Sequence, residues 1–210
     1  MYQFARVLNL AGDQRETMAW AAETTAQVNA KTDLDVGLWG GLFGFPVGTV
    51  AWSTMIEGRA QLAAETAKLA TDNDYLDQVA KAADWVNAPA EDLLRRVVHG
   101  TPAAEPPAVG AIASVTQAVA ATGKMPEAVA WATDMAEHAS SITGIQVALL
   151  VNAYGDFGGM AFISVGADMA AADAAADAIA ADAGYIDKLG ASAGLFVDGS
   201  AHQAMLQKLV

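Results

Sequence analysis

The chain contains no cysteine, which excludes disulfides and thiolate metal ligands. Its three histidines, His99, His138 and His202, fall in no zinc-site spacing, so no metal site is expected. Cations are scarce as well: 11 Lys and Arg stand against 24 Asp and Glu, for a net charge of −13, and Arg95-Arg96 is the one adjacent basic pair. Phosphate backbones and anionic bilayers are held by clustered cations, so neither nucleic acid nor a membrane is an expected partner. G-x-S-x-G, Walker A, G-x-G-x-x-G and EF-hand patterns are all missing. The start, MYQFARVLNLAGD, lacks the basic and apolar segments of a signal peptide, and a cytoplasmic location is expected.

What the chain has is apolar content, 54% of 210 residues, enough for one or two substantial cores. Val36 to Glu57 carries no charge until its last position. About 20 such residues would span a bilayer, and Gly40, Gly44 and Gly48 fall at GxxxG spacing. The same stretch reads as a β-hairpin. Val36, Leu38, Gly40 and Leu42 alternate with Gly37, Trp39, Gly41 and Phe43. Phe43 to Gly48 then turns the chain, and Val50, Trp52, Thr54 and Ile56 alternate with Ala51, Ser53 and Met55.

An internal repeat decides between them. Displaced by 111 residues, Ala19-Trp20-Ala21 falls on Ala130-Trp131-Ala132. After a one-residue gap, Trp52 falls on Phe162 and Tyr75-Leu76-Asp77 on Tyr185-Ile186-Asp187; Trp85 falls on Phe196 after a compensating insertion. A period near 100 residues suits a duplicated small domain. The second counterpart of the apolar stretch, Val147 to Gly159, holds Asn152 and Asp156, and a charge at the centre of a lone span costs roughly 2.5–3.5 kcal/mol. Both stretches are therefore hairpins.

In order, Tyr2 to Leu10 reads as a strand and Gln14 to Lys31 as a helix. Asp13 is its N-cap, with Glu16 in capping-box spacing. After the hairpin come a helix over Arg59 to Ala70, a short helical excursion from Tyr75 to Trp85, and a strand over Asp92 to His99. Each copy is β-α-β-β-α-β, so the expected fold class is α+β with two tandem ferredoxin-like repeats and antiparallel sheets. The repeats span residues 1–100 and 110–210, joined by a proline-rich linker over 101–109. Copy two is expected to place a strand over Ala111 to Ala121 and a helix from Met125. An alanine-rich helix near Asp168 to Ala183 follows, and a last strand over His202 to Val210.

Two such units, with Gly37-Leu38-Trp39 before the turn, Val50-Ala51-Trp52 after it and Asp72-Asn73-Asp74-Tyr75 beyond, resemble the dimeric α+β barrel superfamily. The pattern is similar to its NIPSNAP-like and antibiotic-biosynthesis-monooxygenase-like members and covers nearly the whole chain. The resemblance implies two four-stranded sheets closing a barrel, between subunits or between tandem copies. It also implies a range of functions: cofactor-independent monooxygenases, haem-handling enzymes, isomerases and ligand-sensing regulators. A fold does not choose among them.

Candidate residues follow from the differences between copies. His138, on a helix with Asp134 four residues before it to orient the ring, and Tyr154 are candidate catalytic groups; the ordinary reading of His138 is a surface histidine. Trp39, Trp52, Asn152 and Tyr154 are candidate ligand-binding residues: aromatics beside glycines can wall an apolar cavity, and Asn152 and Tyr154 share a strand face. Arg95 and Arg96 face opposite ways, so one of them is placed to meet an acid. The expectation is a small-molecule-binding protein or cofactor-light enzyme, monooxygenase- or isomerase-like. Its pocket for a small apolar or aromatic molecule lies between sheet and helices, in a homo-oligomer. No cofactor is required by the sequence; haem enters through the resemblance alone. The alternative is a non-catalytic structural protein whose glycine-rich sheet edges pair into oligomers.

Overall fold

The structure is a computed structural model, and it describes residues 1–101 and 105–210. The first half runs β1 (Tyr2–Asn9), α1 (Gln14–Lys31), β2 (Gly37–Phe43), β3 (Thr49–Ile56), α2 (Arg59–Ala70), α3 (Asn73–Ala80) and β4 (Glu91–His99), with a 3-10 turn at Lys81–Asp84. The second runs β5 (Ile112–Val119), α4 (Met125–Thr143), β6 (Val147–Tyr154), β7 (Gly159–Gly166), α5 (Met169–Ala181), α6 (Ala183–Gly190) and β8 (His202–Lys208). Of the expected linker, Pro102, Ala103 and Ala104 lie outside the described residues; Glu105 to Ala108 is irregular.

Local chemistry sets these boundaries. Asp13 caps α1, but its carboxylate accepts from the Arg15 N–H at 2.7 Å, one position earlier than the expected capping-box bond. Pro126 lies in the first turn of α4, where its missing N–H costs nothing, and Gly144 ends that helix at φ 68°. The charge-free stretch is a hairpin: β2 pairs antiparallel with β3 through Leu38↔Trp52 and Trp39↔Ala51.

All eight strands close into one barrel in the order β1-β3-β2-β8-β5-β7-β6-β4. Each half contributes a ferredoxin-like sheet, β4-β1-β3-β2 and β8-β5-β7-β6, and the halves join along β2·β8 and β4·β6. The barrel thus closes within one chain. Closure removes the free strand edges that edge-to-edge assembly would need, so the pairing route of the structural alternative has no edge to use among the described residues.

Because side chains alternate along each strand, the sheet has two apolar faces. The outer face packs under helices as separate cores: Leu10, Trp20, Leu38, Val50, Trp52 and Ile56 in the first half, and Ala128, Ala132, Leu149 and Met160 in the second. The inner face forms a third cluster from both halves, Ala51, Ala113 and Leu206 with Val7, Trp39, Phe45, Val115 and Val165 around them.

Candidate functional site

A cavity of about 360 Å³ lies between the first half's sheet and its helices. β1 and β3 supply its floor with Phe4, Arg6, Leu8, Trp52 and Thr54; α1 supplies Trp20, Thr24 and Val28; α2 and α3 supply Leu62, Thr66, Leu69, Tyr75 and Val79. Trp20 meets Trp52 edge to face, at 5.8 Å between ring centres and 84° between planes. Both indole N–H groups are already bonded: Trp52 Nε1 donates to Thr25 Oγ1 at 2.8 Å and Trp20 Nε1 to the Gln78 carbonyl at 2.7 Å. The rings therefore offer the cavity apolar surface held in fixed orientation.

The polar lining is small. Thr24 and Thr66 donate back to the carbonyls four residues before them. Arg6 forms a two-pronged pair with Asp92, Nε to Oδ1 at 2.7 Å and Nη2 to Oδ2 at 2.8 Å. The hydrogen bond to Asp92 raises the Arg6 pKa above its ordinary value; part burial opposes the shift and nearby Tyr75 adds to it. The Tyr75 hydroxyl makes no hydrogen bond to the described residues, which leaves it as the polar group free to meet a ligand. Arg6 and Tyr75 are the site residues that sequence reasoning missed. Their signal was present, Arg6 in the alternation of β1 and Tyr75 beside the cap Asp72.

The candidates read from sequence do not form one site. Trp52 lies on the helix side of the sheet, and Trp39, paired with Ala51 on the adjoining strand, lies on the barrel side. They share no cavity. Asn152 accepts a hydrogen bond from Arg95 Nε at 3.3 Å, toward the lumen. Tyr154 is exposed, and its hydroxyl accepts from Arg59 Nη1 at 2.6 Å. His138 lines neither cavity. Its expected partner Asp134 pairs with Lys188 instead, and the ring Nε2 faces Asp182 Oδ1 at 2.9 Å. The same Asp182 oxygen caps α6 by accepting from the Tyr185 N–H at 2.6 Å. His138 thus ties α4 to the start of α6.

That brace has a pH signature. The His138 hydrogen bond, then the Tyr185 N–H, hold the Asp182 carboxyl below its ordinary pKa. A depressed carboxylate contributes stability above its unfolded pKa and loses it as pH falls through the folded value. Asp182→Asn keeps a competent cap and loses the charge. The stability gap between wild type and variant, from urea melts, is expected to be present at neutral pH and to close below the ordinary aspartate range.

Haem, implied by the resemblance, finds no fit here. Neither cavity is lined by a histidine: His99 lies 3.8 Å from Glu137, His138 faces Asp182, and His202 is exposed on β8. Among the described residues, no group of three or more His, Asp or Glu stands close enough to hold a metal ion. Among them, too, no helix is long and apolar enough to cross a membrane.

A closed barrel of two ferredoxin-like sheets, with helices outside and an apolar cavity beneath them, is the α+β barrel fold that the resemblance implies, here closed within a single chain. Solved structures carry the same fold. A candidate monooxygenase from Fusobacterium nucleatum superposes with a TM-score of 0.73 over 100% of this chain and 92% of its own, at 10% identity. An anthrone oxidase-like protein gives 0.71 over 100% and 91%, also at 10%. A major regulator of staphylococcal pathogenesis gives 0.61 over the whole of both chains, at 8%. No protein-family model matches the sequence, and no curated protein does.

Proposed function

We propose that the chain binds a small, planar aromatic molecule in the helix–sheet cavity of its first half and exposes it to oxidation by dioxygen. The observation that carries this reading is the cavity of about 360 Å³ walled by Trp20 and Trp52, whose N–H groups are already satisfied. Apolar walls with one or two convergent polar groups are the pattern of small-molecule sites. Here Tyr75 supplies the polar contact, as donor to a ketone or phenol oxygen, and Arg6 stands at the cavity with its charge paired to Asp92. The oxidation class is supported by the likeness to monooxygenase and anthrone oxidase-like structures. For an anthrone the balanced step converts a ring CH2 and O2 to C=O and water.

The test is a titration of the purified chain with anthrone and 1-naphthol, read by tryptophan fluorescence, with native mass spectrometry for stoichiometry and oxygen uptake for turnover. One molecule per chain is expected. Ala83 lines the cavity and is exposed, so Ala83→Trp plugs the rim without disturbing the core. It should weaken binding at least tenfold with the melting temperature unchanged. Tyr75→Phe should cost about 0.5–1.5 kcal/mol of affinity, the worth of one ordinary hydrogen bond. Equal affinity in wild type and Ala83→Trp would sink the proposal; binding without oxygen uptake would leave the chain a binding protein.

A further inference from the structure

The inner face of the barrel encloses a second cavity, about 370 Å³, on the other side of the sheet from the first. Eight-stranded barrels fill with side chains or hold one small ligand, according to the bulk of the inward residues. Here several are small: Ala5, Ala51, Ala113 and Ala204 line the lumen. The space they leave is walled by apolar groups with one charge at its base, Arg95.

Arg95 is 6% exposed. Its guanidinium reaches across the lumen to β5, which is not a neighbour of its own strand, and Nη2 donates to Gln117 Oε1 at 2.9 Å. Nε donates to Asn152 Oδ1 at 3.3 Å. Both acceptors are neutral. Among the described residues no carboxylate lies within 4 Å of Arg95. Glu91 faces the same lumen four residues earlier, roughly 13 Å along the strand, on the exposed rim. Burial lowers the Arg95 pKa, with Glu91 opposing, but a guanidinium stays charged in a protein. A buried charge is costly unless it is paired.

A second observation points to the same spot. Gln3 is the direct cross-strand partner of Arg95 and also lines the lumen. Its Nε2 donates to Ser53 Oγ at 3.2 Å, while its Oε1 is buried with no donor. A cation without an anion beside it and an acceptor without a donor thus stand side by side in a largely apolar lumen.

We infer that the barrel lumen is a second ligand site, for a small monocarboxylic acid with an apolar body. The carboxylate pairs with Arg95, held in place by Asn152 and Gln117. The apolar body lies against Trp39, Val115 and Leu206. Gln3 Oε1 remains for a ligand hydroxyl or a bound water.

The test is calorimetric titration of the full chain with octanoate and, separately, with octan-1-ol, which has the same body and no charge. Octanoate is expected to bind one per chain, and octan-1-ol roughly 30-fold or more weaker, as for loss of one partner of a buried charge pair. Arg95→Met should lower octanoate affinity to the octan-1-ol level. Its melting temperature should be equal or higher, because an unpaired buried charge is replaced by an apolar side chain. Ala113→Leu, which fills the lumen, should block octanoate and leave anthrone binding in the other cavity unchanged. The inference is overturned if octanoate does not bind, if octan-1-ol or Arg95→Met matches wild type with octanoate, or if octanoate competes with anthrone.

Discussion

Trp20→Ala is expected to destabilise the chain by about 3–5 kcal/mol, the range for truncating a buried tryptophan. That is a large share of the roughly 5–15 kcal/mol by which a domain is stable. Trp20 is 6% exposed and stands at the centre of three rings, edge-on to Trp52 and, at 6.2 Å and 71°, to Trp85. Its N–H also helps tie α1 to α3 through the Gln78 carbonyl, beside the Gln78 Nε2 bond to Glu23. Truncation therefore opens a cavity, strips two aromatic contacts and leaves a buried carbonyl without a donor. Trp20→Phe separates these effects: it keeps a ring and loses the bond, for about 1–3 kcal/mol.

The second half provides an internal control. Trp131 occupies the equivalent place, edge-on to Phe162 and Phe196, with its N–H on the Lys188 carbonyl at 2.8 Å. It is less buried, and its partners are smaller rings. Trp131→Ala should cost measurably less than Trp20→Ala in urea denaturation followed by circular dichroism. Equal costs would show that the ring cluster, not the depth of burial, sets the energy. A Trp20→Ala cost under about 1 kcal/mol would contradict the packing argument outright.

The three-ring arrangement also shows what the sequence could reveal and what it could not. Trp20, Trp52 and Trp85 and their counterparts Trp131, Phe162 and Phe196 were matched by spacing alone, because packing positions recur with the repeat. The bounds of α1 and α2 were legible for the same local reasons: Asp13 begins the first, and Thr71 to Asp74 ends the second. The site was less legible because its relations are between elements. Alternation says that either Arg95 or Arg96 turns inward; only the register Gln3↔Arg95 says which. The true partner of His138 is 44 residues away, while the local candidate Asp134 is taken by a lysine 54 residues off in sequence. Trp39 and Trp52 read as one aromatic wall because they stand on adjacent strands of the hairpin, yet a one-residue difference in phase puts a sheet between them.

The hairpin glycines test the likeness of the halves at its limit. Gly48 precedes β3 at φ +87° and Gly158 precedes β7 at φ +83°, and each accepts the same kind of bond, from Leu10 N and Ala120 N, at 2.9 Å. A Cβ on either would sit in a left-handed conformation that costs roughly 1–2 kcal/mol. At Gly158 the added atom would meet the Ala120 carbonyl at 3.4 Å, ordinary contact. At Gly48 it would lie 2.1 Å from the Leu10 carbonyl oxygen, so backbone must move. Overpacking of this kind adds about 1–3 kcal/mol. Gly158→Ala should therefore cost only the conformational part, and Gly48→Ala the sum, about 2–5 kcal/mol. Moving Leu10 also moves its bridge to Val86, which lines the helix–sheet cavity, while Phe45 and Pro46 of the same turn line the lumen. Gly48→Ala should thus weaken anthrone and octanoate together, where the variants above weaken one each. Equal stability losses at the two glycines would mean that the end of β1 yields freely, and the ligand titrations would then be expected to stay at wild-type affinity.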